Sequence, residues 1–298
     1  MTNGGHFMSI DLLQEKIRKL KNPSMIDFGI QKDQLPAHLL VEEGTYLAAY
    51  VRFCRELLQG FRDIVPAVRF DFNTFALLGN DGLVQLRALL AEASEKGFYV
   101  LLDGPEIASP WGADRAADQL LGADAQYQCD GLVVSPYIGS DGIKPFANAC
   151  KEGKDLFVIV RSPNRSAPEL QDLLTGTRLV HNAAADMVNR FGETVLGKCG
   201  YSRFGALVSA TAASSLKQLR SKYNRMFLLV DGLDYPSGNA KNCSYAFDKF
   251  GHGAVVCAGP SVTAAWQQGE GNGSGYVACA VQAAERMKKN VTRYITIL

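Results

Sequence analysis

A chain of 298 residues, 47% hydrophobic and 20% charged, has enough apolar material for a sizeable buried core. Its 31 Lys and Arg balance 30 Asp and Glu to a net charge of +1, which gives no general attraction to nucleic acid or anionic lipid and points to a small-molecule ligand. Seven cysteines (Cys54, Cys129, Cys150, Cys199, Cys243, Cys257 and Cys279) are odd in number and never two to four residues apart, so reduced thiols in a cytoplasmic protein are expected rather than a zinc site or a disulfide framework.

The elements follow in chain order. Residues 1–8 carry no basic-then-apolar leader pattern and read as a flexible tail, with Met8 an alternative start and Ser9 capping a helix over 10–20. A first apolar run covers 24–28. A helix over 46–65 is predicted from the stripe Leu47, Val51, Cys54, Leu57, Leu58 and Phe61. Runs at 67–70 and 99–102 flank a helix over 83–96 that Gly97 terminates. Further runs lie at 132–135, 156–160, 206–209, 226–230 and 254–257, with a helix over 212–223 between two of them and a last helix over 276–291. The stretch 267–275 is the most Gly-rich in the chain and reads as a flexible connection, because its glycines match no phosphate-loop spacing. Eight short strands, each separated from the next by room for a helix, predict a (β/α)8 TIM barrel, α/β in class, in a single domain over 1–298. In such a barrel the chemistry sits just past the C-terminal end of each strand. No apolar stretch approaches the roughly 20 residues that span a bilayer, and no membrane partner is expected.

The strand ends carry the specific signal. After the third run the chain reads Leu101-Leu102-Asp103-Gly104-Pro105-Glu106-Ile107-Ala108. After the fourth it reads Ser135-Pro136-Tyr137-Ile138-Gly139-Ser140-Asp141, and after the fifth Val160-Arg161-Ser162-Pro163-Asn164-Arg165, with Gln171-Asp172-Leu173 close behind. With Asn22-Pro23, 75–79, Gly200-Tyr201-Ser202 and 227–232 in the same order, this set resembles the orotidine 5'-phosphate decarboxylases, in particular the longer bacterial type, over almost the whole chain. The resemblance implies a reaction without metal or cofactor. The substrate carboxylate leaves as carbon dioxide, and a lysine, held among aspartates in an Asp-x-Lys-x-x-Asp segment after the third strand, protonates the ring carbon. An ammonium must meet the developing carbanion, and fixed carboxylates must hold it there.

This sequence departs from that pattern at the reacting positions. Asp103 stands in the place of the first aspartate as a remnant catalytic carboxylate, but Pro105 falls on the lysine and Ala108 on the second aspartate. The lysine of the second strand falls on Arg69, a poor proton donor because its pKa exceeds roughly 12. The aspartate after the first strand falls on Gly29 or is displaced to Asp27. No glutamine lies in Asp231-Gly232-Leu233-Asp234-Tyr235-Pro236 to meet the phosphate, and Pro260 stands where an arginine should clamp it. The substrate-binding set that the resemblance implies is Arg69, Asp71, Tyr137, Asp141, Ser162, Asn164 and Gly232. Plainer alternatives stand beside several of these: Asp103 as a cap, Tyr137 and Asp141 as interface residues, and Ser162 and Asn164 altered by Pro163 between them; Asp231 and Asp234, flanking Gly232, suggest a metal or sugar site but read more simply as turn formers. A relocated donor would come from another loop, such as Lys144 at a helix start, or from across a dimer interface. None of His6, His38, His181 and His252 has a partner at dyad or metal-ligand spacing, and each reads as a surface or cap residue.

Two readings follow. In one, the chain keeps the fold and interface of the family, has lost decarboxylation, and acts as a binding or assembly partner in UMP synthesis, as a homodimer or a heterodimer with an active paralogue, with a pyrimidine nucleotide as its ligand. In the other, it is an enzyme with relocated groups or one that acts on another phosphorylated substrate.

Overall fold

The computed structural model describes residues 9–269 and 273–298. The expected tail at 1–8 and the middle of the Gly-rich stretch, 270–272, lie outside the described residues. Eight parallel strands close a barrel in chain order: β1 (Ser24–Asp27), β2 (Ala67–Asp71), β3 (Tyr99–Asp103), β4 (Gly131–Val134), β5 (Asp155–Arg161), β6 (Phe204–Ser209), β7 (Leu228–Asp231) and β8 (Ala254–Ala258), which pairs back onto β1. All eight overlap the runs expected from sequence.

Alternation along each strand separates two apolar layers. Met25, Ala67, Tyr99, Leu101, Val133, Phe157, Leu207, Leu229 and Val255 form one cluster inside the barrel, joined at its base by Ile10, Leu13 and Ile17 of the N-terminal helix Ser9–Leu20. The intervening residues, among them Ile26, Val68, Phe70, Val100, Leu102, Leu132 and Val158, face outward and pack with the wall helices. Each fully buried Leu, Val or Phe of these layers contributes about 1.5–3 kcal/mol relative to exposure.

The helix Tyr46–Phe61 buries Ala49, Tyr50, Phe53, Cys54, Leu57, Leu58 and Phe61, a stripe at three- and four-residue spacing, and Thr45 accepts the Ala48 amide at its start. It stops four residues short of the expected end because Pro66 disfavours helical backbone at Val65. The amides of Ile64 and Val65 turn back onto the Phe61 carbonyl instead. The other expected helices appear as Gly79–Glu95, Ala213–Lys222 and Tyr276–Thr292. Between β5 and β6 the chain adds an antiparallel pair of two-residue strands, Leu174–Thr175 and Arg178–Leu179, before the helix Val180–Gly192.

Candidate functional site

Register brings the strand-end charges together at the C-terminal mouth. Asp27 lies beside Arg69, Asp71 beside Asp103, and Ser209 beside Asp231. Arg69 is only 7% exposed and reaches across the lumen, donating from Nη2 to Asp27 Oδ2 at 2.5 Å and from Nη1 to Asp231 Oδ2 at 3.0 Å. Each carboxylate is fixed further by a local amide: Asp27 Oδ1 accepts from Gly29 at 2.9 Å and Asp231 Oδ1 from Gly232 at 2.7 Å. Burial acts against the guanidinium's charge, but Asp231 and Asp27 outweigh it and hold Arg69 well above its ordinary value. Its Nε is buried without a hydrogen-bond partner among the described residues.

Asp103 sits in this cluster differently. Its carboxyl makes no hydrogen bond or ion pair among the described residues, and its pKa is pushed up to about 7. Burial is the main cause; Asp27, Asp71 and Asp231 add to it, and Arg69 opposes them. No lysine ammonium lies within bonding reach of it, although every lysine of the chain is among the described residues. Lys144 is exposed at the first residue of the short 3-10 helix Lys144–Phe146 and pairs with nothing at the mouth.

The other residues singled out from sequence are spread over the rim. Asp71 is the N-cap of the helix Phe72–Ala76: it accepts from the amides of Asn73 at 3.1 Å and Thr74 at 2.8 Å and from the Thr74 hydroxyl. Pro105 and Ala108 lie in the irregular segment before the helix Pro110–Ala116. Tyr137 is 79% exposed, and Asp141 is exposed in the turn Gly139–Gly142. The Ser162 hydroxyl donates to Asn164 Oδ1 at 2.6 Å and accepts from Gln171 at 2.7 Å, so this pair closes on its own loop. Gly232 takes φ +79°, and a Cβ there would collide with Pro163, so the loops after β5 and β7 meet at this point. Of the two places open for the first-strand aspartate, Asp27 is the one that supplies a carboxylate. At β8, Pro260 opens the short helix Pro260–Thr263, and the Gly259 amide before it donates to Asp234 at 2.6 Å. A carboxylate therefore occupies a backbone donor beside the place where a phosphate clamp was expected.

One histidine expectation is overturned. His181 is 3% exposed and partnered: its Nδ1 lies 3.0 Å from the Gln171 carbonyl and 3.1 Å from Asp172, and its Nε2 lies 3.5 Å from the Ser215 hydroxyl. Asp172 in turn accepts both a 2.8 Å and a 2.9 Å bond from Arg161. Burial at the junction of two helices, not a sequence spacing, makes this network, which ties the helix Val180–Gly192 to the end of β5.

Among the described residues no helix is long and apolar enough to cross a membrane. No family model matches the chain. Curated relatives do: the orotidine 5'-phosphate decarboxylase of Rhodopirellula baltica is 33% identical over 214 residues, 70% of this chain and 71% of that protein. That of Clostridium novyi is 25% identical over 288 residues, 95% of this chain and 98% of its own length. Among solved structures, Leishmania donovani OMP decarboxylase matches with a TM-score of 0.74 at 21% identity, covering 97% of this chain and 99% of that one. The Plasmodium berghei orotidine 5'-monophosphate decarboxylase matches with a TM-score of 0.75 at 11% identity, covering 95% and 97%; both structural likenesses establish the barrel fold alone. By its similarity to the Rhodopirellula protein over more than two thirds of both chains, this chain belongs to the orotidine 5'-phosphate decarboxylase family.

Proposed function

We propose that this protein keeps the family's barrel as one domain over its whole length, has lost decarboxylation, and serves as a cytoplasmic binding or assembly partner in UMP synthesis. The observation that carries this reading is the occupant of the mouth. The donor position carries Pro105, and in place of the second-strand lysine stands Arg69, whose guanidinium is clamped between Asp27 and Asp231. Both of its Nη groups are engaged, and its pKa makes it a poor acid. The cluster holds one cation against the carboxylates of Asp27, Asp231 and Asp103, so a substrate carboxylate entering there meets net negative charge. Oriented donors in a water-excluded site contribute several kcal/mol each, and losing the proton donor with its partner aspartate costs many orders of magnitude in rate.

A second reading rests on Asp103. A carboxyl pushed up to about 7 carries a proton for part of the time at neutral pH, which is the property of a relocated general acid. Decarboxylation of orotidine monophosphate, assayed with the purified chain alone and mixed with an active paralogue, separates the two. Turnover by the chain alone that disappears in Asp103→Asn supports the second reading and ends the first.

Assembly has its own support. Tyr137, Leu170, Leu173 and Leu174 are 79%, 47%, 51% and 70% exposed on segments after β4 and β5, beside a cavity of about 330 Å³ lined by Pro136, Tyr137, Leu170 and Met187. Such a patch favours burial against a second barrel, either another copy or an active paralogue.

A further inference from the structure

The buried imidazole of His181 lies in the wall of the cavity of about 330 Å³ that adjoins Tyr137 and Leu170. Its Nδ1 stands 3.0 Å from the Gln171 carbonyl and 3.1 Å from Asp172 Oδ1. A carbonyl oxygen only accepts, so Nδ1 carries the hydrogen and donates. On the far side of the ring, Nε2 faces the Ser215 hydroxyl at 3.5 Å, on the helix Ala213–Lys222 that follows β6. The ring therefore stands between the segment after β5 and two wall helices, Val180–Gly192, which carries it, and Ala213–Lys222.

What the imidazole holds extends in two directions. Toward the mouth, Gln171 Oε1 accepts the Ser162 amide at 2.8 Å, Gln171 Nε2 donates to the Ser162 hydroxyl at 2.7 Å, and that hydroxyl donates to Asn164. Outward, Gln171 and Asp172 sit between Leu170 and Leu173, which with Leu174 form the exposed apolar face. Arg161 grips Asp172 from the strand that the segment leaves, whereas His181 fixes the Gln171 backbone against the helical wall. We infer that His181 is the positioning residue for this surface: its Nδ1 hydrogen sets the backbone at Gln171, and through it both the Ser162 loop and the face that meets a second copy of the chain. For what that face does, the inference rests on the assembly reading given above.

The test changes the donor in the full chain and reads two quantities, hydrogen exchange by mass spectrometry at the amides of 162 and 171–174, and mass by light scattering. Leu keeps a similar volume without a donor, Asn places an amide N–H where Nδ1 stands, and Gln places one where Nε2 stands. In the parent, slow exchange at these amides and the mass of two chains are expected. His181→Leu and His181→Gln should keep one cooperative melting transition, speed exchange at these amides by about tenfold or more while the barrel strands stay protected, and shift the mass toward one chain. His181→Asn should restore both quantities. Ser215→Ala should leave both as in the parent, because Nδ1 carries the hold. The inference is overturned if His181→Leu changes neither quantity, if Asn fails to rescue where Leu has an effect, if Ser215→Ala acts as His181→Leu does, or if exchange quickens equally across the barrel strands. A single-chain mass for the parent removes the assembly reading, and the exchange pattern then decides the positioning role by itself.

Discussion

Arg69 and Asp103 define the residue-scale behaviour of the mouth. Replacing Arg69 by Ala leaves two facing carboxylates, Asp27 and Asp231, without their shared counterion in a half-buried setting. The expected loss is about 3–5 kcal/mol, read from urea unfolding. For Asp103 the folded pKa lies above the ordinary carboxylate value, so the folded state holds a proton that the unfolded chain releases. Its stabilising contribution is complete below about pH 4 and is lost as pH rises through about 7. Asp103→Asn mimics the protonated form. It should match the parent at pH 4 and exceed it by about 1–2 kcal/mol at pH 8, a figure reduced for partial solvent screening; equal stabilities at both pH values would remove this account of Asp103. The strand-end positions of these residues were legible because apolar runs stop there. Their pairing was not, since Arg69 meets a carboxylate 42 residues before it and another 162 residues after it, and no local pattern encodes such a contact.

At the scale of elements, Gly232 is where two site loops depend on one backbone conformation. Ala at this position must adopt φ +79° and displace Pro163, so Gly232→Ala is expected to lower stability by roughly 2 kcal/mol, seen as a lower urea midpoint. An unchanged midpoint would mean that the loops after β5 and β7 do not rest on each other. The barrel strands were readable because each is a short apolar run buried on both faces, which leaves a continuous signal. The hairpin at Leu174–Thr175 and Arg178–Leu179 gave no such signal, being two residues a side with all but Leu179 exposed. His181 escaped notice for a related reason: Asp172 is nine residues away and Ser215 is 34, and only the packing of separate helices brings them to one imidazole.

For the whole molecule, the account joins a preserved framework to an altered mouth. The apolar surface around Tyr137, Leu170 and Leu174 predicts that light scattering on the purified chain returns the mass of two chains, and that Tyr137→Glu with Leu174→Glu returns the mass of one. A single-chain mass for the parent contradicts the interface. Family membership was legible in the order and spacing of the strand-end segments, whereas the fate of the chemistry turns on which cation occupies the lumen, a matter of side-chain reach. The most direct measurement is release of carbon dioxide from orotidine monophosphate by the purified chain. The account predicts no release above the uncatalysed background; saturable turnover by this chain alone, lost on substituting Asp103, would contradict it.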